Sequence, residues 1–140
     1  MTGMTTPCQK RQITGNAGLN DAAWQLSRRG WHVMPTIRNA KGSDRFITNE
    51  GETAFFGVQS RALSKRDAVS LHMDLSELRS DWWIITTFAN PDAPVCYILR
   101  VDELRAHASQ NKNGGKWWLE PKAYDRDEFR DAWHRLGKAD

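Results

Sequence analysis

Cysteine is scarce in this chain: Cys8 and Cys96 are the two present, and they lack CxxC spacing. That argues against a disulfide framework or a cysteine-ligated zinc site and suits a reducing cytoplasm. Long apolar runs are missing as well. Nothing approaches the roughly 18 residues that a membrane span needs. Residues 1–15 contain Lys10 and Arg11 but no hydrophobic stretch, so no signal peptide is expected. Histidine is sparse and scattered, and His32, His72, His107 and His134 show neither HxH nor HExxH spacing. No serine stands in a GxSxG elbow, and no glycine-rich phosphate loop follows a strand. Internal repeats and low-complexity tracts are also lacking. These absences set aside histidine-centred metal chemistry, serine-hydrolase chemistry and P-loop nucleotide hydrolysis.

What is present is ordinary in amount and uneven in placement. The 140 residues suit one domain, and an apolar fraction of 39% with 26% charged residues suits a globular fold. Net charge is +3. Residues 1–66 hold ten Lys/Arg against four Asp/Glu, a net +6, whereas residues 67–140 hold ten against thirteen, a net −3. A polyanionic partner for the first half would account for that skew. The seven tryptophans, with pairs at Trp82-Trp83 and Trp117-Trp118, read as core and sheet-face packing.

Residues 1–15 read as a flexible leader and 16–140 as the folded domain. Leu19, Ala22, Ala23 and Leu26 recur at helical spacing, so a helix is predicted over Ala17–Arg29, with Asn16 as N-cap and Gly30 closing it. Trp31–Arg38 alternates as a strand, with Pro35 marking an edge or bulge. Two apolar runs at 42–48 and 53–61 flank Asn49-Glu50-Gly51-Glu52 and predict a β-hairpin. Leu71, Leu75 and Leu78 suggest a helix from near Ser70 to before Trp82. Trp82–Phe88 reads as a buried central strand, paired antiparallel with Val95–Val101. A short helix capped by Asp102, a short strand at Trp117–Leu119 and a final helix from Asp125 to Leu136 complete the chain. The fold class is α/β (α+β), with helices flanking a mixed central sheet.

The hairpin carries the chemistry. Asp44 opens its first strand, and Gln59 and Arg61 close its second, so an acid, an amide and a guanidinium meet at one end. Phosphodiester hydrolysis uses a divalent cation held by oxygen ligands, with a cationic side chain steadying developing charge. Asp44 and Gln59 are the candidate metal ligands, and Arg61 takes the cationic role.

The ordered set Ala17-Gly18, Leu26-Ser27-Arg28-Arg29-Gly30-Trp31-His32-Val33, Asn39-Ala40-Lys41-Gly42-Ser43-Asp44 and Gln59-Ser60-Arg61 resembles small bacterial members of the PD-(D/E)XK, or restriction-endonuclease-like, nuclease superfamily. The likeness runs over about residues 16–136. It implies an αβββαβ core, Mg²⁺ as cofactor, DNA as partner and homodimers. Two positions depart from the family pattern. The family's helix glutamate falls on Leu19, and its catalytic lysine falls on Arg61. Three readings follow. One is a degenerate nuclease-like protein that binds nucleic acid through Arg38, Lys41, Arg45, Lys65 and Arg66 around Asp44, Gln59 and Arg61. Another is an active Mg²⁺-dependent endonuclease. The third is a pseudo-nuclease turned protein-interaction or inhibitor module.

Overall fold

The computed structural model describes residues 6–35, 44–71, 73–90 and 93–139. Its elements in chain order are α1 (Pro7–Arg28), β1 (His32–Pro35), β2 (Arg45–Thr48), β3 (Phe55–Ala62), β4 (Val69–Ser70), β5 (Trp82–Thr87), β6 (Val95–Arg100), α2 (Val101–His107), β7 (Ser109–Gln110), β8 (Trp117–Leu119) and α3 (Pro121–Tyr124). Single 3₁₀ turns lie at Leu75–Glu77 and Trp133–Leu136.

Helix α1 begins ten residues before the predicted start. The Thr6 hydroxyl accepts the Gln9 amide N–H at 3.1 Å, and the Gln9 side-chain oxygen accepts the Thr6 N–H at 2.9 Å. This reciprocal capping box, with Pro7 in the first turn, nucleates the helix. Residues 7–15, expected in a flexible leader, are therefore helical, and Asn16 is interior rather than a cap. The stretch carries no apolar stripe to betray it, since Ile13 is 52% exposed. Its tie to the rest of the fold is polar: the buried Thr14 hydroxyl donates to Asn90 Oδ1 at 2.9 Å. The C-terminal end matches expectation, with Gly30 at φ +95° just past the cap residue Arg29.

The central sheet has strand order β1-β2-β3-β5-β6. Its pairs are antiparallel except β3 with β5, which run parallel with Val58 opposite Trp82. The predicted hairpin is β2–β3, in the register Arg45 opposite Val58. The predicted pair β5–β6 is also present. Side chains alternate between faces along each strand. On one face Ala22 and Leu26 of α1 pack against Ile47, Val58, Ile84 and Ile98. A Cβ on Gly18 would stand 2.3 Å from the Ala62 Cβ, so the glycine is what lets α1 lie so close to β3. On the other face Trp83, Ile85, Tyr97 and Leu99 are covered by Leu71, Leu104, Leu119 and Tyr124. That cover comes from the small sheet β4-β8-β7 and the short helices α2 and α3.

Two predicted helices are not formed. Between β3 and β5 the leucine spacing gives a single 3₁₀ turn, because Val69–Ser70 is drawn into pairing with β8. The Asp74 side chain then accepts the Ser76 N–H and starts that turn. Leu71 and Leu78 are nevertheless buried. The Asp125–Leu136 helix is broken by Asp131 at φ +48°. Ile98 N–H donates to Phe129 O, and Asp131 N–H donates to Cys96 O, so the segment runs beside β6 and crosses the sheet edge. Phe129 consequently joins one core while Trp133 and Leu136 join the other. The predicted helix after Asp102 is α2, whose N-cap is Arg100: its N–H donates to Glu103 Oε1 at 2.8 Å.

Candidate functional site

The head of the β2–β3 hairpin positions the three candidate residues. Asp44 N–H donates to Val58 O at 2.9 Å, extending the ladder one residue before β2. Asp44 Oδ2 accepts the Ser60 N–H at 2.8 Å, which pins the carboxylate against β3. Val58 lies in the core under α1, so Gln59 and Arg61 point from the opposite face, two residues apart. Gln59 is 8% exposed. Arg61 is half-buried, with its Cζ 5.2 Å from the centre of the Trp83 ring and Nη1 donating to Ser60 O at 3.3 Å. Burial pulls the Arg61 guanidinium below its ordinary range, and the Asp44 carboxylate acts in the opposite direction. A guanidinium so placed remains a permanent cation in water near neutrality.

Among the described residues, the side-chain oxygen donors brought together here are the Asp44 carboxylate and the Gln59 amide. Among the described residues no group of three or more His, Cys, Asp or Glu is placed to hold a metal ion. A hard dication selects carboxylate and carbonyl oxygens. Here one oxygen of Asp44 already accepts an amide, and the fixed charge of Arg61 acts on the same carboxylate. The described residues by themselves therefore do not make up the ligand set of a tightly held Mg²⁺. The acids nearest in sequence to the family's helix position do not fill the gap. Leu19 occupies that position, and Asn20 is exposed. Asp21 accepts from the Cys96 thiol at 3.3 Å. Cys96 lies on β6, two strands beyond β3, which is roughly 10 Å across the sheet. Burial pushes that thiol up to about 12. Glu50 pairs with His32 at 2.6 Å at the turn end of the hairpin, away from Asp44.

The expected nucleic-acid-binding residues are dispersed. Arg45 is half-buried and Nη1 donates to Asp44 O at 2.9 Å. Lys65 is exposed on the loop after β3. Arg66 Nε donates to Asp125 Oδ2 at 2.6 Å. Arg38 and Lys41 lie outside the described residues.

Sequence reasoning missed three features. Asp125 is a hub that accepts from Arg66, from Arg130 at 2.9 Å and from the Tyr97 hydroxyl at 2.9 Å. The hydrogen bond from Arg66 holds its carboxyl below the ordinary range. Nearby, the Tyr124 hydroxyl donates to Asp67 O at 2.6 Å and accepts Asp67 N–H at 3.2 Å. Burial raises that phenol to about 12. The second feature is Trp83 beneath Arg61, whose buried indole N–H finds no partner among the described residues. The third is a stacked pair, Phe46 and Phe55, on the same sheet face. A diagonal of aromatics across two predicted strands was the available signal for it.

Two solved structures share this architecture. The chain is similar to a bacterial homing endonuclease over 89% of its own length and 91% of that chain, with a TM-score of 0.61 at 13% identity. It is also similar to Hjc, a Holliday junction resolvase from the archaeal hyperthermophile Archaeoglobus fulgidus, over 89% and 96% of the two chains, with a TM-score of 0.56 at 10% identity. No family model and no curated protein matches the sequence. The fold is of the restriction-endonuclease-like type.

Proposed function

We propose that this is a degenerate nuclease-like protein that binds nucleic acid, DNA first among its partners, with weak or no cleavage. The observation that carries the reading is the composition of the hairpin head. Among the described residues Asp44 is the one carboxylate there, Gln59 adds a neutral oxygen, and Arg61 supplies a permanent cation where the family pattern has lysine. A guanidinium grips phosphate through paired N–H donors but does not act as a proton acceptor. Arg61 gives the site a phosphate-holding character, and the binding it supports is steeply salt-dependent. A cytoplasmic setting fits the cysteine usage, and no described helix is long and apolar enough to cross a membrane.

Supercoiled plasmid incubated with Mg²⁺ or Mn²⁺ tests the catalytic half of the reading. The expected result is intact plasmid; metal-dependent nicking abolished by Asp44→Ala overturns it in favour of the active endonuclease. Gel shifts across a salt series test the binding half. Affinity should fall steeply with salt and weaken in Arg61→Ala, whereas absence of binding at low salt would turn the reading toward the protein-interaction module. The endonuclease keeps a place because the framework is intact: Gly18 brings α1 against Ala62 at the end of β3. The double substitution Leu19→Glu with Arg61→Lys asks whether that framework can be rearmed.

A further inference from the structure

Among the described residues, one face of the sheet is only partly covered. Cluster residues from β5 and β6 on that face are buried under the second layer, but none of the buried members comes from β1 or β2. There Met34 is 38% and Phe55 61% exposed. Met34 stands opposite Phe46, and Phe46 stands opposite Gly57. The Phe46 and Phe55 rings are stacked, with centroids 5.3 Å apart and planes 20° from parallel. Phe55, Gly57, Gln59 and Arg61 succeed one another along this face of β3, about 7 Å apart. Gly57 has no side chain, so the row holds a gap between the phenylalanine pair and the polar site. Asp44 begins the neighbouring row that leads to Phe46.

We propose that the Phe46–Phe55 pair is a stacking platform for unpaired nucleobases, and that it selects nucleic acid with exposed bases over continuous duplex; this rests on the nucleic-acid reading above. The exposed Phe55 ring and the phosphate-holding guanidinium lie on one sheet face about 20 Å apart along β3, so they match an extended strand whose base rests on the platform while a phosphate some nucleotides further along is held at Arg61. Paired bases in a duplex are stacked on one another and offer edges, not faces, so only an unpaired base can lie on Phe55.

Fluorescence anisotropy at low salt, with three labelled probes of equal length, tests it: a single thymidine strand, the same backbone with abasic sites, and a duplex. Wild type should bind the thymidine strand more tightly than the abasic one. Phe55→Ala should cost roughly ten-fold on the thymidine strand and leave the other two within about two-fold. Phe55→Trp should keep the preference. Unchanged thymidine-strand affinity in Phe55→Ala, or an equal loss on all three probes, overturns the platform while the phosphate-binding site stands. Failure of wild type to bind any probe overturns both readings. Sedimentation of the two proteins closes the last route: a mass that drops in Phe55→Ala, with strand affinities unchanged, assigns the patch to a second copy of the chain and overturns the proposal.

Discussion

Strand β5 is buried at all six positions, whereas β1 has one half-buried residue and three exposed ones. The first lies under α1 on one face and the second layer on the other; the second contributes Val33 to the α1-side core, and none of its residues joins the core on the other face. The candidate site falls on the boundary between these regions. Gln59 stands opposite Trp83 and Arg61 opposite Ile85, so β3 touches the doubly covered half while its hairpin partner β2 leads on to the exposed edge strand β1. Such a boundary gives a charged group an apolar wall on one side and access on the other. The behaviour of Arg61, leaning on Trp83 and partly desolvated, is a direct product of that placement.

The contrast can be broken by substitution, and the largest effect belongs in the doubly covered half. Ile98 is fully buried, and Ile98→Ala should cost about 4 kcal/mol by urea denaturation. Next comes Gly18→Ala. Its methyl would meet the Ala62 Cβ at 2.3 Å, so α1 must lift from β3 at a cost of about 2 kcal/mol. A smaller effect is expected from Asp125→Asn, read as a pH profile. The folded-state carboxyl lies below the ordinary value of 3.8. Its contribution is therefore present above that value and is lost as pH falls through the folded one. Thermal melts should show wild type losing its advantage over Asp125→Asn below about pH 4; parallel profiles across that range would show that the hub adds nothing to stability. The smallest change is expected in the open half: Phe55→Ala should leave unfolding free energy within about 0.5 kcal/mol. A large loss there would mean that the open face is structural.

The same division explains what could be read from the residues. Strands β5 and β6 announce themselves as continuous apolar runs because both faces are covered. The hairpin was legible from its turn and its alternation, and with it the meeting of Asp44, Gln59 and Arg61, since period-two geometry decides which residues share an end and a face. The contact between Arg61 and Trp83 was not legible, because it depends on a parallel pairing across the long connection 63–81. Leucines at 71, 75 and 78 mimic a helical stripe, but strand pairing with β8 claims the segment first. Phe129, Trp133 and Leu136 have helical spacing too, yet they serve opposite faces because the chain wraps around the β6 edge. The first turns of α1 escaped notice because capping and one polar anchor hold them, and hydrophobic periodicity carries no trace of either.

The parallel junction between β3 and β5 also bears on how the chain finds its shape. The ladders β1–β2, β2–β3 and β5–β6 each join neighbours in sequence and can close early. The β3–β5 ladder must wait for the loop 63–81 to bring distant segments together, and loop closure is an entropic cost met before the contacts it permits. Refolding should therefore be limited by the docking of two preformed hairpins along Val58–Ala62 and Trp82–Thr86. Conservative truncations in that ladder should slow refolding, while those in the β1–β2 ladder should chiefly hasten unfolding.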